Sequence, residues 1–417
     1  MRRGAPCRIG HGPGSSRRGA AALLAAACGA ALAVAVPLAA AEVAGLDQAA
    51  LDHAALDQRV AELRGKLEKD AQGRIVVVNL DDAKATLDDL RLLAGLPELV
   101  QLDLWGAQID DSAFDVLVTL PKLKSLSLIN TAVTDAGLAR LAEIPSLRSL
   151  NLQRSALLTN DGMARVAKLT ELTHLSAPYT RVTGEGAARL APLKKLRLLD
   201  LRGCTLSNES LAIVNELPQL VSLKLRSPSV SDAGLAYLAD KKQLRGLHLE
   251  DARFSEEGMR QLGGLTALED LNLLRVPIGD AGMDPLTKLG AIRQLNLRGT
   301  FVTDEGLSRL AGMRELFKLD LSETEVGGPG LVHLADLPKL RWLNLWATYV
   351  DDAAVEHLAR MTALEYLNLD GTSVTDAGIE RLATLKRLKT LSISQTAVSP
   401  AAGEKLREKL PQLQIER

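Results

Sequence analysis

The sequence predicts an α/β solenoid in which each turn supplies one parallel strand and one short helix, the array curving into a horseshoe or arc. Three observations carry this. The spacing Leu-x-x-Leu-x-Leu recurs in thirteen copies whose first positions run from Leu99 to Leu388, with Ile292 standing for Leu once. Every step is 24 residues except Leu147 to Leu172, which is 25. Within each copy, apolar residues first alternate with polar ones and then fall at helical spacing. Aromatics are 3% of a chain that is 47% apolar, so Leu, Ala and Val must fill a core of small stacked layers. A period of about 20–29 residues with this Leu spacing belongs to strand–helix repeats, whose units bury their apolar face only against neighbours.

The elements follow in order. Residues 1–41 read as a signal peptide: Arg2, Arg3, Arg8, Arg17 and Arg18 precede a nearly continuous Ala/Leu/Val stretch from Gly19 to Ala41, and Pro37 precedes Ala39-Ala40-Ala41. Cleavage is expected between Ala41 and Glu42. Two rivals remain: an uncleaved anchor through residues 19–41, since about 20 apolar residues span a bilayer, and lipidation at Cys28. Cleavage removes five Arg and no acid, which takes 50 basic residues to 45 against 51 acidic and the net charge from −1 to −6. The expectation is an exported bacterial protein, periplasmic or extracellular, with no stable membrane insertion if the signal is cleaved. Of Cys7, Cys28 and Cys204 only the last would survive cleavage, so no intramolecular disulfide, clustered metal ligands or cofactor are expected.

Residues 42–74 are expected to form an N-terminal capping helix region, with Leu56, Val60, Leu63 and Leu67 at helical spacing. A degenerate repeat fills 75–98 through Ile75, Val78 and Leu80. The regular array covers 99–399 and a C-terminal cap 400–417, where Pro400 starts a charged helix and Leu413 and Ile415 mark a truncated strand. In the unit from Leu123 to Pro145, Leu126 and Leu128 alternate with Ser125, Ser127 and Ile129 as a strand. Thr131 offers its hydroxyl to buried backbone at the bend. Thr134-Asp135 is read as a helix cap, Gly137 as a tight turn or close approach, and Leu138, Leu141, Ala142 and Ile144 as the buried helical stripe.

The same sequence recurs as Thr300-Phe-Val-Thr-Asp-Glu-Gly-Leu307 and Thr372-Ser-Val-Thr-Asp-Ala-Gly-Ile379. On these residues the chain resembles bacterial leucine-rich repeat proteins with Thr-x-Val-Thr-Asp-x-Gly-Leu units. It is also similar to the cysteine-containing repeats of F-box substrate receptors, with Cys204 at their Cys position. The resemblance covers roughly residues 75–415. It implies strands on a concave face, helices on a convex face, and a non-enzymatic role in binding a protein or peptide at the cell envelope or exterior. An F-box-like ubiquitin-ligase adaptor is one alternative, disfavoured by the export signal and by the lack of an F-box-like segment before the repeats. An envelope-polysaccharide binding module is another.

The second, fourth and sixth positions after each first Leu should face the concave side. All three Trp fall there. Trp342, Trp346 and Tyr366, with Tyr349 at the rim, form the leading contact site, because Trp and Tyr on a rigid surface dominate binding energy; alternatively they pack on one another and shield the sheet. Trp105 marks the other end. A central strip holds Asp200, Arg202, Lys224, Arg226, His248, Glu250 and Asp270. Its alternating signs suggest cross-strand pairing, and Arg202, Lys224, Arg226 and Glu250 could set register toward a polar partner or form a self-neutralised surface. Asn272, Asn296, Asn344 and Asn368 recur at the fourth position as donors and acceptors. Pro178, Pro228 and Pro277 should interrupt the ladder locally, which reads first as drift that an additive stack tolerates, the alternative being a bulge that re-aims Tyr179. Ser222, His248 and Asp270 lie on adjacent strands but too far apart in backbone offset for a catalytic set, and no oxyanion donor is identifiable. No basic excess points to nucleic acid.

Overall fold

The computed structural model describes residues 54–81 and 83–417. The targeting segment, its cleavage site and Cys28 lie outside the described residues. A helix over 54–62 leads into the strand Lys66–Lys69, which pairs antiparallel with Ile75–Leu80. Fourteen further strands, from Gln101–Trp105 to Gln414–Glu416, then add in sequence order and in parallel, completing one 16-stranded sheet. Equivalent residues align: Leu271, Leu295, Leu319, Leu343 and Leu367 are register partners in turn. The Leu rows are buried in one continuous core running from Leu56 to Leu413.

The helical expectation at the N-terminus extends too far. The helix stops at residue 62, Arg64 takes a left-handed φ of 58°, and Leu67 lies on a hairpin strand opposite Val78. Gly65 permits this approach: a Cβ there would sit 2.6 Å from Leu80 Cδ2 and 2.7 Å from Asn79 O. Apolar spacing over so short a stretch fits a strand as well as a helix. The convex elements also depart from uniform helix. Several are 3-10 segments, including Gly137–Glu143 and Asp280–Lys288, the tighter winding that short connectors commonly adopt.

The Thr-Asp-x-Gly consensus works between repeats rather than within one. Asp280 accepts hydrogen bonds from the Thr303 backbone N at 2.9 Å and from Thr303 Oγ1 at 2.7 Å, in the following unit. Asp111 serves Thr134, Asp135 serves Thr159, Asp232 serves Ser255, Asp352 serves Thr375 and Asp376 serves Ser399 in the same manner. The helix-cap role expected of Thr is also filled: Thr303 Oγ1 accepts from Glu305 N at 3.2 Å. The consensus Gly has a specific reason. A Cβ on Gly306 would lie 2.4 Å from Asp280 Oδ1, and one on Gly137, Gly162, Gly258 or Gly378 would meet the preceding unit's Asp at 2.1–2.3 Å. Backbone φ at these glycines is ordinary, so close approach, rather than a turn, demands the missing side chain.

The bend after each strand has its own chemistry. Gly106, Asn130, Arg154, Tyr179, Gly203, Asp251, Arg275, Gly299, Glu323, Ala347, Gly371 and Gln395 all take positive φ at the seventh position after the first Leu. The exception is Ser227, where Pro228 follows, and a residue before proline is biased toward extended backbone. One step later, Thr300, Thr324, Thr348 and Thr372 donate to the carbonyls of Leu297, Leu321, Leu345 and Leu369 at 2.6–2.7 Å. Cys204 takes this position in its unit, its Sγ donating to Ala177 O at 3.3 Å, and burial pushes its thiol pKa up.

Tyr179 therefore follows the regular bend and is not re-aimed by a bulge. Nor does Pro178 interrupt the ladder, since Ala177 N and Tyr179 N still reach Asp200 O and Arg202 O at 2.9 and 2.8 Å. In other units the equivalent N–H bonds an Asn side chain two residues earlier, as Gln153 N does with Asn151, so proline there removes no ladder donor. Pro277 differs. Its counterparts Arg253, Phe301 and Tyr349 donate to Val230, Ile278 and Val326 carbonyls, a bond proline cannot make.

Candidate functional site on the open face of the sheet

Convex elements cover one face of the sheet, and the other face presents the even strand positions. Lys318, Trp342 and Tyr366 are register partners on three successive strands. The parallel register brings equivalent side chains together, so the Trp342 and Tyr366 rings stack at 4.9 Å with planes 6° apart, and Lys318 Nζ lies 4.4 Å from the Trp342 ring centroid. Because Trp342 stands on the middle strand, both its ring faces are covered and its edge is presented outward. Arg298 lies 4.8 Å over the Trp346 ring while its Nε is held by Glu323 at 2.7 Å. Burial raises the Tyr366 pKa. Tyr349 is 73% exposed at the rim, and Trp105, at the far end, is 37% exposed. Lys318 and Arg298 were missed in sequence; each lies 24 or 48 residues before its aromatic, an offset the repeat makes legible.

The central strip is mostly self-paired. Arg202 bonds Asp200 on its own strand at 2.8 Å and reaches Glu250, two strands away, at 3.5 Å; the Asp200 hydrogen bond holds its pKa above the ordinary value. Arg226 bonds Asp251 at 2.6 Å and the Tyr179 hydroxyl at 3.2 Å, and both raise its pKa. Glu250 also accepts from Asn272 Nδ2 at 3.1 Å. Pairing thus runs within a strand and across one or two, beyond the simple neighbour pattern. The Lys224 ammonium has no ion-pair or hydrogen-bond partner among the described residues, although Asp200 is its register partner; Arg202 has taken that carboxylate.

The Asn row serves the strand ends. Asn272, Asn296, Asn344 and Asn368 each accept, through Oδ1, the backbone N–H two residues on, at 2.7–3.1 Å. One lone pair of each carbonyl thus serves the fold, and the second, with the amide N–H groups, remains as donor and acceptor capacity. His248 Nε2 meets Asp270 Oδ2 at 2.9 Å, but no hydrogen bond joins Ser222 to either, and His248 Nδ1 is buried without a partner. Among the described residues, no group of three or more His, Cys, Asp or Glu could hold a metal ion.

The family model described as "Leucine-rich repeat region" matches residues 122–415. The chain belongs to the leucine-rich repeat family. Its leucine-rich repeat solenoid is similar to an internalin of Listeria monocytogenes, at 20% identity and a TM-score of 0.56, over 87% of this chain and 93% of that one. It also matches a leucine-rich repeat protein of Leptospira interrogans at 19% identity and a TM-score of 0.46, over 82% and 90%. These likenesses are of fold. No curated protein matches the sequence. Leucine-rich repeat domains are in general non-enzymatic scaffolds that bind proteins, because a rigid stacked sheet pre-organises many contacts.

Proposed function

We propose that this leucine-rich repeat protein binds a protein or peptide ligand across the open, concave face of its sheet, outside the cytoplasm, with the aromatic group near the C-terminal end as its anchor. The observation that carries this is the Lys318–Trp342–Tyr366 stack beside Trp346 and Tyr349. Rigid, half-buried aromatics on a pre-organised sheet lose little entropy on binding. The covered faces of Trp342 disfavour sugar stacking there and favour edge-on contact with a polypeptide. Arg202, Lys224, Arg226 and Glu250 supply polar register, with Lys224 the unpaired member, and Trp105 extends the contact to the other end. Export rests on residues 1–41. Among the described residues no helix is long and apolar enough to cross a membrane.

The test is crosslinking capture from the native cell envelope. The baits are the chain from Glu42 and its Trp342→Ser/Trp346→Ser/Tyr366→Ser variant, each first shown to unfold at the same urea concentration as the other. A protein held by the first and lost by the variant supports the aromatic anchor. Equal capture by both moves the site to the charged strip or the convex side.

A further inference from the structure

The two edges of the sheet carry opposite charge. Consider, for each of the thirteen units, the three residues before the first Leu and the one after it, which form the edge where strands begin. These positions hold sixteen Lys and Arg against five Glu. The four residues of each Thr-Asp-x-Gly segment, at the edge where strands end, hold fifteen Asp and Glu and no Lys or Arg. The chain as a whole carries only −1, so this is segregation rather than excess. Helix ends favour the same signs, and the acidic edge is explained by the Asp-to-Thr bonds between units. On the basic edge, bonds between units account for only part of the charge.

Five Glu on the basic edge are consumed by ion pairs, mostly one repeat apart, such as Lys122–Glu98, Lys195–Glu171, Arg245–Glu269 and Lys339–Glu315. Half of its cations remain unpaired among the described residues. Lys124, Arg197, Lys242, Arg293, Arg314, Lys386 and Arg387 are also exposed, and none bonds a helix carbonyl. They recur every one to three repeats, roughly 5–15 Å apart at the spacing of adjacent strands. Two open concavities lie on this edge. One of about 470 Å³ is lined by Arg245 and Arg293 together with Glu269 and Asp270, and one of about 460 Å³ by Lys386, Arg387 and Lys409 together with Glu365.

We infer that this edge docks a linear acidic polysaccharide lying along the array, its carboxylate or sulfate groups meeting the unpaired cations and the acidic edge turned away. Three features favour that polymer. No row of aromatics lines the edge for base stacking. One exposed aromatic stands on this edge, Phe317, at 41% with Arg341 5.9 Å over its ring, and a single such side chain is far less apolar surface than insertion into a lipid surface needs. The edge consists of loop side chains, without the free strand edge or apolar groove by which peptides are commonly held.

The experiment uses the full chain, polygalacturonate as probe, and calorimetry at low and at 0.3 M salt. Binding should weaken steeply with salt. A variant with Lys124, Arg197, Lys242, Arg293, Lys386 and Arg387 each replaced by Gln should bind roughly tenfold or more weakly, with a shallower salt dependence, and should keep the wild-type unfolding midpoint. Trp342→Ser/Tyr366→Ser should bind polygalacturonate as wild type does, which separates this edge from the protein-binding face. The inference is overturned if polygalacturonate does not bind at low salt or if the Gln variant binds it unchanged. It is also overturned if polyglutamate, single-stranded DNA or anionic phospholipid vesicles bind as tightly through the same cations.

Discussion

Replacing Gly306 by Ala is the sharpest probe of how the units are joined. In an isolated helix this change is favourable by about 1 kcal/mol, and φ at Gly306 is ordinary. In the array the new Cβ would stand 2.4 Å from Asp280 Oδ1 and 3.0 Å from Val302 Cγ1. Asp280 cannot retreat without giving up its bonds to Thr303 at 2.9 and 2.7 Å. Hydrogen bonds to a charged group contribute about 1.5–3 kcal/mol. Weakening both should outweigh the helix gain and leave Gly306→Ala destabilised by about 1–2 kcal/mol. Asp280→Ala, which removes both bonds without that gain, should cost more, about 3 kcal/mol. In the double variant the clash with the carboxylate is gone, so its loss should be no greater than that of Asp280→Ala alone, a coupling of about 1–2 kcal/mol by a double-mutant cycle. Urea unfolding followed by far-UV circular dichroism and Trp fluorescence reads all four corners. Gly312→Ala is the control, because nothing lies within 4 Å of its added Cβ. A neutral Gly306→Ala, or strict additivity, would refute the between-repeat account of the consensus.

Two further outcomes are expected. Burial holds the Asp103 carboxyl above its ordinary range, against hydrogen bonds from Gln101 and Asn79, so the folded state keeps that proton to a higher pH than the unfolded chain. The ionised group therefore opposes folding at neutral pH, and this penalty recedes as pH falls through the raised value. Asp103→Asn, which installs the residue found at the same position in Asn272 and Asn296, should raise the urea midpoint at pH 7, with the advantage shrinking toward pH 4; a pH-independent difference would count against burial as the cause. Ala347 holds φ at 54° where the next unit has Gly371. Ala347→Gly should therefore stabilise by about 0.5–1 kcal/mol, and a loss of thermal stability would show that the bend tolerates a Cβ without strain.

The repeat period alone determined the topology. Once thirteen Leu spacings are in phase, parallel strands in sequence order, a continuous Leu core and an outward row at the even positions follow, because a single unit has nowhere else to bury its apolar face. Trp342, Trp346 and Tyr366 were placed on one face for the same reason. Spacing did not decide the partner of each polar side chain. Asp280, read along the chain, looks like a helix cap of its own unit; only stacking brings it to Thr303, and only then does Gly306 have a reason. Asn344 looks like a free amide until the strand end turns its carbonyl onto Trp346 N. The stack of Trp342 on Tyr366, the reach of Arg202 to Glu250 and the approach of Gly65 to Leu80 all arise from residues separated in sequence meeting across a register. Local pattern dictates which face a residue occupies, whereas hydrogen bonds and ring contacts are short-ranged and settle only once neighbouring units lie about 4.8 Å apart.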